Sequence, residues 1–146
     1  MFDNWAVVLE LFVAGLAAPQ GSKNYMGRAK NGKGIMKESS EGVKPWRADV
    51  RTACAEAWGE GRPPLDCPVR LTLGFTRKRP LSAPKRRTPA ATTAPDLSKL
   101  VRSTEDAITS AGVWVDDARV IELITFKRVA ELGQVPGCYI RIEVPT

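Results

Sequence analysis

The stretch "DLSKLVRSTEDAITSAG", residues 96–112, constrains the fold more than any other. Leu97, Leu100, Val101, Thr104, Ala107, Ile108 and Ala111 recur at helical spacing on one face, so this helix must bury that face against another layer. Asp96, following Pro95, stands where an N-cap belongs, and Gly112 stands where a helix stops. Next comes "GVWVDD", an apolar run that ends in two adjacent carboxylates, Asp116 and Asp117. Neighbouring acids repel each other, so a fold that keeps both must offer water, hydrogen bonds or a cation. A helix over 97–111 rises roughly 22 Å, and an extended run over 112–117 returns about 20 Å. The spacing therefore allows Asp117 to come back beside Asp96. Taken singly, Asp96 reads as a helix cap and the Asp116-Asp117 pair as a turn. Taken together, on a basic chain, they point to a hard divalent cation, Mg²⁺ or Mn²⁺, held by oxygen ligands.

The remaining elements surround this unit. Residues from about Val7 to Ala14 predict a buried strand, and "APQGSKNYMGRAKNGKGIMKES" predicts a long Gly- and Lys-rich loop or hairpin. "PWRADVRTACAEAW" predicts a helix with Pro45 in its first turn and Trp46, Val50, Ala53 and Ala57 on its apolar face, stopped at "GEGRPP". In "CPVRLTLGF", Val69, Leu71, Leu73 and Phe75 alternate with Arg70, Thr72 and Gly74, the pattern of a strand with one buried face. "RVIELITFKR" and "CYIRIEV" read as two more strands, joined by the loop "AELGQVPG" into an antiparallel hairpin. Trp114 is expected to be buried rather than stacked on a base, and Trp5, Trp46 and Trp58 to be core or dimer contacts. The sum is a single α+β domain over 1–146, with a small mixed sheet of about four to five strands packed with two main helices.

Charge and residue usage narrow the chemistry. With 22 Lys+Arg against 16 Asp+Glu, the chain carries +6, which favours a polyanionic partner, nucleic acid or an anionic membrane surface. "RKRPLSAPKRRTPAATTAP", residues 77–95, is rich in basic residues and proline and almost free of large apolar side chains, so it predicts a mobile basic loop whose Arg and Lys order against phosphates. A membrane role would need an amphipathic apolar face near that loop, and the segment offers none. The chain has no histidine, which removes Ser-His-Asp hydrolysis, Cys-His proteolysis and Cys/His zinc sites. Cys54, Cys67 and Cys138 fit neither a disulfide framework nor a zinc motif, and read as reduced, buried thiols in a cytoplasmic protein. "WAVVLELFVAGLAAPQ" has the look of a secretory leader, but Asp3, Glu10, the missing basic start and the short length favour a first strand.

"PDLSKLVRSTEDAITSAGVWVDDARVIEL" resembles the signature of the RusA-type Holliday junction resolvases: roughly DLDNL, a helix, then G-x-W-x-D-D-x-x-V. "PQGSKNYMGR" and "VKPWRADV" are similar to the family's N-terminal basic and tryptophan segments, and "TFKR" to its lysine-bearing strand. The resemblance implies a small homodimeric endonuclease, often phage-encoded, that is Mg²⁺-dependent and acts on four-way junction DNA, with no membrane role. It implies Asp96, Asp117 and Arg102 as catalytic residues and Asp96, Asp117 and Asp116 as metal ligands. Arg77, Lys78, Arg79, Lys85, Arg86, Arg87, Lys99 and Lys127 would then bind DNA. There are two departures. The second aspartate of DLD is Ser98, and the lysine one turn further along the helix is Arg102, which keeps the charge but cannot donate a proton at ordinary pH. Ser98 removes one anionic ligand, which leaves two expectations: a working but altered nuclease, or an impaired junction-binding protein. Glu105 and Asp106 lie about 10 Å or more further along the helix axis than Ser98, too far to share an ion with Asp96.

Overall fold

A computed structural model describes residues 2–19, 23–28, 34–38 and 43–146, with backbone alone for 23–28, 34–38, 43 and 44. Strand β1 (Trp5–Ala14) is followed by the strands β2 (Lys23–Arg28) and β3 (Gly34–Glu38), helix α1 (Val43–Trp58) and strand β4 (Val69–Arg77). Helix α2 (Leu97–Ser110), a short 3₁₀ turn (Asp117–Arg119), β5 (Val120–Val129) and β6 (Gly137–Pro145) complete the chain. β2 and β3 pair antiparallel as a separate ribbon, as the loop-or-hairpin expectation allows; residues 20–22, 29–33 and 39–42 lie outside the described residues.

The other four strands form one mixed sheet in the order β1-β6-β4-β5, so the chain is an α+β protein of one small domain with two helices. Its inner face is built in rows. Leu9, Ile142, Leu71 and Leu123 stand side by side across the four strands; the next rows are Leu11, Ile140, Leu73 and Thr125, then Val13, Cys138, Phe75 and Lys127. The period of two in each strand puts these side chains on one face, which the two helices cover. β1, β4 and β6 are buried there while Leu123 at the edge stays 46 % exposed.

Two expectations needed revision. β5 and β6 do not form a hairpin, because β4 and β5 are parallel neighbours joined through α2 and β6 runs antiparallel to both β1 and β4. The reason lies in burial: Ile140 and Ile142 are fully buried and need neighbours on both sides, whereas β5 exposes Ile121, Leu123, Ile124 and Phe126 and belongs at an edge. The face of α1 is also not the one expected. Trp46, Val50, Cys54 and Trp58 recur every fourth residue and are buried, while Ala53 is half-buried and Ala57 exposed. Burial holds the Cys54 thiol near pKa about 12, so it packs as a small apolar group. Gly15, at φ 146°, lets the chain leave β1 against the Trp46 ring; an added Cβ would meet that ring at 3.4 Å and an Asp49 oxygen at 3.1 Å. Among the described residues no helix is long and apolar enough to cross a membrane.

Candidate active site

α2 is held in place by its buried face. Leu100, Val101, Ser103, Thr104, Ala107 and Ile108 are buried, and the Trp46 indole N–H of α1 donates to the Thr104 hydroxyl at 3.0 Å. Thr104 in turn donates to the Leu100 carbonyl, so a polar pair inside the helix interface is satisfied on both sides. The helix ends as expected, with Gly112 at φ 80° just past the last turn.

The return run does not behave as a strand. Trp114 makes one bridge to Leu65, its ring is buried, and its Nε1–H donates to Thr109 Oγ1 at 2.6 Å. Backbone bonds from Leu65 to Val113 and from Val115 to Leu65 tie the same point down. Anchored there, the chain bends into the 3₁₀ turn. One Asp116 oxygen accepts from the Ala118 N–H at 2.6 Å and caps that turn, and Arg119 pairs with Asp66 at 2.8 Å to hold it against the approach to β4.

Asp117, carried on that turn, is a charge neighbour of Arg102, Glu105 and Asp106 on α2. Its carboxyl is raised above the usual carboxylate range, first by desolvation, then by its hydrogen bond and charge repulsion with Asp116 and by the charge of Asp106, with Arg102 opposing. Glu105, half-buried, is pushed up to about 7 by burial and by the charges of Asp117 and Asp106. The acids set aside on distance from Asp96 are thus the neighbours of Asp117. The sequence signal is the i, i+4 stripe Ser98, Arg102, Asp106 on α2, which is legible only once Asp117 is placed by Trp114 rather than by a straight return. Among the described residues no three Asp, Glu or Cys side chains converge closely enough to hold an ion by themselves.

Asp96 sits at the N-cap position of α2, yet its side chain makes no capping bond. Its carboxylate is about two-thirds exposed and 4.0 Å from the Lys99 ammonium. Next to it, the Lys127 ammonium donates to the carbonyls of Thr93 and Pro95, both at 2.8 Å, so β5 clamps the chain that delivers Asp96. Ser98, Lys99 and Arg102 are exposed on the same helix.

The basic loop after β4 divides into two groups. Arg77 reaches back to the Ala17 carbonyl, and burial lowers its pKa. Arg79 donates to the carbonyls of Pro84, Arg87 and Ala130 and to Thr88, whose hydroxyl bonds Glu131. Arg79 closes the loop upon itself and upon the β5–β6 connection, while Arg77 ties its start to the segment after β1. Lys78, Lys85, Arg86 and Arg87 are exposed, and Lys85, Arg86 and Arg87 rim a cavity of about 260 Å³.

A small α+β fold that carries both a group of acids and a basic loop fits a phosphodiester-processing protein. The family described as Endodeoxyribonuclease RusA matches residues 17–143, nearly the whole chain, and the protein belongs to that family of endodeoxyribonucleases. No curated protein matches the chain significantly.

Proposed function

We propose that the protein resolves four-way DNA junctions by Mg²⁺-dependent hydrolysis, working as a homodimer that places paired nicks. The observation that carries this reading is the family match over residues 17–143, joined to the grouping at Asp117, whose carboxyl is raised first by desolvation and then by Asp116 and Asp106, with Arg102 opposing and Arg47 paired to Asp106 at 3.3 Å. Excess negative charge on hard oxygen donors fits a divalent cation, and Mg²⁺ is ordinarily held by one or two carboxylates with waters and substrate phosphates supplying the rest. Asp117, Asp116 and Asp96 would hold Mg²⁺, or Mn²⁺ in its place. The ion would lower the pKa of bound water and polarise the scissile phosphate.

The chain's own groups do the rest. Arg102 presents a permanent charge beside Asp117 to orient the phosphate, and it cannot serve as the proton donor. Ser98 supplies a hydroxyl without charge. Lys127 holds the backbone before Asp96, which makes it a positioning residue more than a phosphate contact. Lys78, Lys85, Arg86, Arg87 and Lys99 supply sequence-independent backbone affinity. A two-fold dimer suits the task because two symmetry-related nicks resolve a junction. The family relationship favours a cytoplasmic site of action, in the host cell if the gene is phage-borne.

A second reading, a junction-binding protein that does not cut, is favoured by the uncharged Ser98 and by the lack of a three-acid cluster among the described residues. A nicking assay on a synthetic four-way junction beside a linear duplex, with Mg²⁺, Mn²⁺ or EDTA, separates the two. Paired, metal-dependent nicks on the junction, abolished in Asp117→Asn, are the expected result. Tight binding without a cut under either metal leaves the binding protein standing.

A further inference from the structure

β5 is the outer strand of the main sheet, and among the described residues no strand pairs with its free edge. Ten residues of unpaired edge are a template for another strand, and natural proteins usually blunt such edges with proline or interior charge. Here the middle of the edge is apolar on both faces: Leu123 is 46 %, Ile124 49 % and Phe126 37 % exposed. The charges stand towards the ends, Glu122 on one side and Lys127 and Arg128 on the other.

The register with β4 fixes which way each points. Leu123, Thr125 and Lys127 stand opposite Leu71, Leu73 and Phe75 and share the helix-covered face. Glu122, Ile124, Phe126 and Arg128 stand opposite Arg70, Thr72, Gly74 and Thr76 on the other face, where the Phe126 ring lies over Gly74 so closely that an added Cβ would meet it at 2.7 Å.

We infer that this edge pairs antiparallel with the same edge of a second copy, about a two-fold axis through Thr125, so that the two four-stranded sheets become one. The inference rests on the homodimer proposed above and names its surface. A two-fold axis perpendicular to a sheet keeps each face on its own side, so facing residues must share parity and the axis must pass through a residue. An axis at Ile124 sets Glu122 against Phe126, and one at Phe126 sets Ile124 against Arg128. The axis at Thr125 sets Glu122 against Arg128 and Ile124 against Phe126 on the open face, and Leu123 against the aliphatic stem of Lys127 on the other. Of these registers only the last pairs opposite charges with each other and apolar side chains with each other. An extended segment of a different protein would have no reason to meet this self-complementary order. In this arrangement the partner strand crosses next to Lys127, the side chain that holds the approach to Asp96.

The test combines sedimentation of the full-length chain with disulfide trapping. Thr125→Cys is expected to form a disulfide-linked dimer under mild oxidation, because residue 125 faces its own copy, whereas Ile121→Cys, which faces residue 129, is not. Cys54 and Cys138 are buried, and half-buried Cys67 is replaced by Ser in every variant to keep the background low. Ile124→Lys, at an exposed position, is expected to raise the dimer dissociation constant roughly tenfold or more with unchanged circular dichroism. A wild-type dimer that ignores Ile124→Lys, and in which Thr125→Cys crosslinks no better than Ile121→Cys, overturns this surface and leaves the dimeric nuclease intact. A monomeric wild type overturns both.

Discussion

Arg79 and its neighbours Arg86 and Arg87 look alike in the sequence and do different work in the fold. A guanidinium that already donates to three carbonyls and a hydroxyl has few donors left for phosphate. Arg79→Gln should therefore lower thermal stability by about 1–3 kcal/mol and leave the salt dependence of DNA binding nearly unchanged, which calorimetric unfolding and a salt titration together would check. At the acidic spot, Arg102→Gln should reduce nicking by roughly 10²-fold while junction affinity changes little, and Ser98→Asp should lower the Mg²⁺ concentration for half-maximal nicking. Both are read in single-turnover assays across a metal titration. The identities at this scale are partly legible. The burial of Trp114 and the stop at Gly112 can be read from their local context. The place of Cys54 in the α1 stripe cannot, because its neighbours Ala53 and Ala57 match helical spacing equally well, and only packing chooses between them. The roles of Arg77 and Arg79 depend on carbonyls distant in the chain, which no local pattern reports.

At the scale of elements, α2 and β4 are readable because each has one clean period and one buried face. The return from α2 is not, since a six-residue run carries no sign that the fold bends it at the Trp114–Leu65 bridge. The β5–β6 hairpin expected from the sequence fails for a similar reason: a short connection permits a hairpin, but the pairing is decided by which strand needs burial on both edges. The α1–α2 contact offers a direct check. Trp46→Phe keeps an aromatic ring and removes the donor to Thr104, so it should destabilise the fold by about 1–2 kcal/mol, measured by denaturant unfolding, with the circular dichroism of the native state unchanged.

For the whole molecule, two charge distributions make separate predictions. The exposed group Lys85, Arg86 and Arg87 should govern polyanion binding. Replacing all three with Gln should flatten the plot of log affinity against log salt by up to about 2.7, near 0.9 for each phosphate that is no longer neutralised. On the open face of the sheet, Arg70 donates to Glu143 through Nε and Nη2 at 3.1 and 2.8 Å, and Arg141 adds a third interaction at 3.5 Å. The Arg70 hydrogen bonds hold the Glu143 carboxyl below the usual carboxylate range although its burial pushes the other way. Because the folded value lies below the unfolded one, this stabilisation is fully present above about pH 4.5. It disappears as pH falls through the folded value. Glu143→Gln should accordingly lower stability at pH 7 and blunt the loss on acidification, as seen in melting temperatures from pH 7 to pH 3.

The ring that Arg79 closes has a consequence for how a polyanion is met. A strand of lysines and arginines with no fixed shape gives up configurational freedom as it settles on a phosphate backbone, and that loss offsets part of the attraction. Here Arg79 draws Pro84, Arg87 and Ala130 around one guanidinium before any ligand arrives, and Lys127 ties the far end at Thr93 and Pro95. The loop then offers its remaining charges at set spacing, like a stamp rather than a tether. Its recognition should depend on the curvature of the phosphate track presented to it, which differs between a straight duplex and a branched one.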